Sequence, residues 1–99
     1  MVTWSKDAIL ALKQIHDFIA LDSRQYAQKV ALELWGCAEE LSLFPHKGRI
    51  VPEMRQKLIR EVFVYSYRMI YQISSTGIIV LQLVHQRKKL NKKVVLSKN

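Results

Sequence analysis

Residues 48–73 read GRIVPEMRQKLIREVFVYSYRMIYQI. The stretch opens as a loop punctuated by Gly48 and Pro52, then turns into strand-like alternation from Leu58 onward. Three runs of strand length follow one another: LIREVFVY at 58–65, YRMIYQIS at 67–74 and IIVLQLVH at 78–85. All are rich in β-branched and aromatic residues, which suit a pleated, half-buried surface. SSTG at 74–77 is a hairpin signal, with Gly77 able to take a positive φ, and the connection around Ser66 is tighter still. These short connections predict an antiparallel meander. Arg49, Arg55, Arg60 and Arg68 are planted beside or within it, although it must supply much of the core.

Working outward, VTWS at 2–5 has the composition of a short strand. Ser5 is placed to cap a helix, with Asp7 in the first turn, where the helix dipole favours negative charge. Ala8, Ile9, Leu12, Ile15 and Ile19 recur at steps of three and four and mark an amphipathic helix. LDSRQ breaks the pattern, and Asp22 or Ser23 can cap a second helix marked by Ala27, Val30, Ala31, Leu34, Ala38 and Leu41. So short a turn predicts an antiparallel αα-hairpin, ended by Pro45. The fold class is therefore α+β in two layers: an N-terminal strand, then a helical hairpin packed on one face of an antiparallel β-sheet. A single domain is expected over 1–88, followed by a basic tail at 89–99.

A chain of 99 residues supports one hydrophobic core. With 49% hydrophobic and 24% charged residues, the composition is that of a globular chain rather than a disordered one. Its longest apolar runs, such as 78–81, are too short to span a bilayer, and Lys6 and Asp7 interrupt any signal-peptide pattern. The single cysteine, Cys37, forms no internal disulfide, which fits a reducing cytoplasm.

Charge is the first functional indication. The chain carries a net +8. Residues 1–45 hold four Lys/Arg against six Asp/Glu, so the remaining 54 residues carry a net +10. A basic half of this strength favours polyanionic partners such as nucleic acid, the ribosome or acidic protein segments. The alternative is a basic surface that serves solubility alone.

Of the chemical motifs, none indicates a cofactor or a metal. Gly36, Gly48 and Gly77 are dispersed, so no phosphate-cradling loop exists, and Cys37, His16, His46 and His85 lack ligand spacing. Cys37 reads as an ordinary semi-buried thiol. Alternation puts Arg60 with Leu58, Val62 and Val64, Glu61 with Ile59, Phe63 and Tyr65, and Arg68 with Ile70 and Gln72. Two readings stand. Arg60 and Glu61 are structural and pair with neighbouring strands or helix ends. Alternatively, Arg60 and Arg68 open onto a basic concavity on the sheet face away from the helices, where guanidinium forks bind phosphate or carboxylate. Beside them, His85 could act as a general acid or base.

The opening VTWSKDAILALKQIHDFIALDS, the loop FPHKGRIVPE, the IRE strand, the YRMIYQI strand and the terminal VHQR together resemble the RelE/ParE superfamily of bacterial type II toxin–antitoxin toxins. The resemblance runs over about residues 2–88. It implies the two-layer fold read above and a cognate antitoxin that holds the toxin inactive, with no small-molecule cofactor and no membrane. RelE-like members cleave mRNA in the ribosome, and in that case Arg60, Arg68, His85 and Arg87 match the basic catalytic positions. The tyrosine such nucleases carry near the C-terminus is absent from QRKKLNKKVVLSKN. ParE-like members instead poison DNA gyrase, and GRIVPE followed by IRE resembles that branch more closely. The resemblance thus implies a toxin whose target is gyrase ahead of the ribosome and its mRNA. Arg49, Arg55, Arg60, Arg68, Arg87, Lys88 and Lys89 are then the expected cations for antitoxin or target.

Overall fold

The computed structural model describes residues 1–87. Lys88, Lys89 and the expected tail at 89–99 lie outside the described residues. Strand β1 (Val2–Trp4) leads into α1 (Lys6–Ala20) and α2 (Arg24–Leu43), then β2 (Arg49–Ile50), β3 (Ile59–Val64), β4 (Tyr67–Ser74) and β5 (Gly77–His85). The caps follow from side-chain chemistry. Ser5 Oγ accepts the Ala8 N–H at 3.0 Å, and Ser23 Oγ accepts the Tyr26 N–H at 3.1 Å. Each satisfies a donor that the first helical turn leaves without a partner. Ser5 also donates its hydroxyl to the Leu81 carbonyl at 2.9 Å, which ties the helix start to the sheet.

The strands are ordered β1-β5-β4-β3-β2. The meander β2–β5 is antiparallel as the short connections require, but β1 pairs with β5 in parallel, so the sheet is mixed. A parallel neighbour needs a long crossover, and the helical hairpin together with the meander supplies it. Two further details differ from the sequence reading. Arg49 and Ile50, within the expected loop, form a two-residue edge strand on β3. Tyr65, expected to end a strand, is instead a turn residue with φ of +55°. Gly77 takes the anticipated positive φ, at 146°.

Two apolar clusters lie on opposite faces of the sheet. On the helix face, Ala8, Val30, Leu34, Ala38 and Leu41 pack against Met69, Tyr71, Val80 and Leu83. Tyr71 is fully buried; its hydroxyl donates to the Pro45 carbonyl at 2.6 Å and accepts the Gly48 N–H at 2.9 Å. A Cβ on Gly48 would lie 2.5 Å from that hydroxyl and 2.7 Å from the Glu61 carbonyl, so only glycine fits this approach. On the other face, Val51 and Met54 of the β2–β3 connection pack on Ile59, Ile70 and Leu81. That connection therefore covers part of the face that the sequence left open.

Candidate functional site

Four charged side chains form one network on the face away from the helices. Strand register decides its membership. Glu61 lies opposite Ile70, and Phe63 lies opposite Arg68, so Glu61, Phe63, Arg68 and Ile70 share a face. Arg68 donates from Nε to Glu61 at 2.6 Å, and from its two terminal nitrogens to the two oxygens of Glu53 at 3.0 and 2.9 Å. The second Glu61 oxygen accepts Nε of Arg49 at 2.7 Å. The guanidinium of Arg49 lies 5.1 Å from the centroid of the Phe63 ring, within cation–π range.

Burial grades this network from inside to outside. The Glu61 side chain is 0% exposed and that of Arg68 7%, whereas Glu53 is 35% and Arg49 58% exposed. Hydrogen bonding to Glu53 is the largest influence on Arg68 and holds its guanidinium protonated above an already high range. Burial works against this, and Glu61 reinforces it. An ionised carboxylate as deeply buried as Glu61 needs two such partners.

The expectation that Arg60 and Arg68 share one concavity is corrected. Arg60 lies opposite Tyr71, on the helix face, and donates to the carbonyls of Gly48 at 2.9 Å and Lys57 at 3.1 Å. In the antiparallel register of β3 and β4, these two arginines fall on opposite sides of the pleat. His85 lies opposite Tyr67, again on the helix face, in an edge-to-face contact with ring centroids 6.0 Å apart. Its Nδ1 accepts the Arg87 N–H at 3.2 Å. Arg60 and His85 share a face but sit at opposite ends of the strands, four residues apart in register and two strands apart across the sheet, and so roughly 16 Å. Arg55 is exposed in the β2–β3 connection with φ of +52°, and Arg87 is exposed beyond β5.

Two groupings were not legible in the sequence. Glu53 is one. Its signal was present, since Glu53 and Glu61 are the only acids after residue 45, and both lie on Arg68. The other joins Tyr65 at the β3–β4 turn to α2, where its ring meets Tyr26 edge-on at 6.3 Å. A hydrogen bond to Glu33 pushes the Tyr65 phenol up to about 12. Burial pushes the Cys37 thiol up, with Glu40 adding to it, as befits an ordinary thiol rather than a reactive one. Among the described residues, no group of three His, Cys, Asp or Glu side chains is placed to hold a metal ion. Nor is any helix among them long and apolar enough to cross a membrane.

A helical hairpin on one face of a five-stranded mixed sheet places the chain in the fold class of a solved structure described as the chromosomal ParDE TA system from P. aeruginosa. The TM-score is 0.69 at 16% identity, over 85% of this chain and 92% of that one. No curated protein matches the sequence at a significant level. The family model for the ParE toxin of the type II toxin–antitoxin system, parDE, matches residues 2–90, and the chain belongs to that family.

Proposed function

We propose that this chain is the growth-inhibiting toxin of a type II toxin–antitoxin pair, that it poisons DNA gyrase, and that a cognate antitoxin neutralises it. Membership of the ParE toxin family supports the toxin reading. The observation that favours gyrase over ribosome-dependent mRNA cleavage is the engagement of Arg68. Acid–base cleavage of RNA needs a base, an acid and a cation around one phosphate. Here Arg68 is held by two carboxylates, while Arg60 and His85 lie on the opposite face of the sheet. The exposed cations Arg49, Arg55 and Arg87 are the proposed contacts for an anionic surface on antitoxin or target, with Lys88 and Lys89 extending them in sequence.

The test pairs two assays. Purified protein with gyrase, relaxed DNA and ATP should block supercoiling or trap cleaved DNA, and co-expression of an antitoxin encoded beside it should restore growth. A translation extract given the same protein should leave its message uncut. Normal supercoiling at saturating protein would remove gyrase as the target. Message cleavage that is lost on His85→Ala would put the ribonuclease reading in its place.

A further inference from the structure

Glu53 and Glu61 both lie on Arg68, but at different depths. Buried Glu61 takes Nε and is itself held by Arg49, so it fixes the plane of the Arg68 guanidinium from the inside. Glu53 occupies the outer edge, with one oxygen on each terminal nitrogen, the fork-to-fork geometry by which arginine receives a carboxylate. The backbone around Glu53 is anchored separately, because Val51 and Met54 are buried in the second apolar cluster. The Glu53–Arg68 pair thus meets solvent at its outer edge, with Glu53 35% exposed, while the inner Glu61–Arg68 contact is buried.

We propose that Arg68 is a carboxylate-recognition site that the chain's own Glu53 keeps closed, and that an acidic side chain of a protein partner is the ligand that replaces it. The site already holds a planar two-oxygen group, so a partner's Asp or Glu needs no rearrangement of the guanidinium. A net charge of +8 draws acidic segments toward the molecule. Exchanging one carboxylate for another changes little at Arg68 itself, so net affinity comes from the flanks. There, the half-exposed ring of Phe63 lies opposite Arg68 in register, and the largely exposed guanidinium of Arg49 lies over that ring. A carboxylate carried beside an apolar residue is the pattern this surface accepts. The inference concerns binding alone and stands or falls independently of gyrase.

The experiment titrates a hexapeptide of alternating glutamate and leucine into the full chain, into Glu53→Gln and into a charge-matched control, Glu40→Gln. Glu40 is an exposed carboxylate paired with Lys47. Binding is read by calorimetry, and the Arg68 Nε–H signal is followed by NMR. Removing a partly exposed internal competitor should tighten peptide binding about fivefold. The control should stay near wild type, and the Arg68 signal of Glu53→Gln should move with peptide. Glu53→Asp, which keeps the charge but shortens the reach, carries the test if Glu53→Gln does not fold, and should show a smaller gain. Three results would overturn the proposal: no gain in either variant, an equal gain in Glu40→Gln, or an Arg68 signal that does not move while peptide binds. An equal Glu53-dependent gain for a hexauridylate RNA would also overturn it, by reassigning the site to a nucleic-acid backbone.

Discussion

The two faces of the sheet solve the same packing problem by different physics. The helix face is closed by apolar side chains of both helices, Ala8 of α1 and Leu34 and Leu41 of α2 among them, packed on Met69 and Tyr71 of β4. The opposite face is closed by one short connection, half by apolar contact through Val51 and Met54 and half by the Arg49–Glu61–Arg68–Glu53 network. Apolar burial is non-directional and tolerates rearrangement. A buried ion network is directional, and removing one member leaves the others without compensation. The helix face therefore works as a scaffold, while the loop face is the side on which a partner's charge can be read.

The largest effect should come from the loop face. Glu61→Gln leaves Arg68 buried without its inner carboxylate, and a loss of about 3 kcal/mol is expected from urea unfolding. A loss below about 1 kcal/mol would mean that Glu53 alone compensates Arg68, and would erase the distinction between inner and outer carboxylate. Leu34→Ala on the helix face should cost a similar amount, roughly 3 kcal/mol, by opening a cavity beneath α2. The two losses should differ in their salt dependence. The Leu34→Ala cost should be the same in low and high salt, and a strong dependence would show that charge also contributes to closing that face.

Smaller effects lie at the β3–β4 turn, where Tyr65 holds φ of +55°. Tyr65→Val places a β-branched residue in that left-handed conformation and should cost about 1–2 kcal/mol, whereas Tyr65→Gly should not fall below wild type by more than about 0.5 kcal/mol. Equal losses in the two variants would mean that the ring's contacts with Tyr26 and Glu33 matter more than the backbone. The smallest effect is one of pH. The Tyr65 phenol is pushed from 10.0 to about 12 by Glu33, so its protonated form is favoured in the folded state. The associated stability is complete below pH 10 and disappears as pH rises toward 12. Tyrosinate absorbance should show two late-titrating tyrosines in wild type, Tyr65 and the buried Tyr71, and only Tyr71 in Glu33→Gln.

Much of the scaffold was legible because helix and strand periods are local properties. Apolar residues at steps of three and four located both helices, and Ser5 and Ser23 cap them as their hydroxyl chemistry implies. The GRIVPEMRQKLIRE stretch was harder. Alternation assigned Arg60 and Arg68 correctly to strands, but it gives the faces of each strand separately and says nothing of which faces coincide. That depends on the register between β3 and β4, where a shift of one residue exchanges the two sides. The pairing of Glu53 was illegible for a related reason: a loop carboxylate meets a strand fifteen residues away only after the loop has folded back over the sheet.

By itself, the sequence determined the layered α+β architecture, the family to which the chain belongs, and the concentration of positive charge in its second half. These follow from periodicity, composition and motif order, all of which are written along the chain. Only the tertiary structure decided that β1 joins the sheet in parallel, that Arg60 and Arg68 face opposite ways, and that the two acids of the basic half both lie on one arginine. These are long-range pairings, selected by the few arrangements in which apolar faces and buried charges are satisfied together.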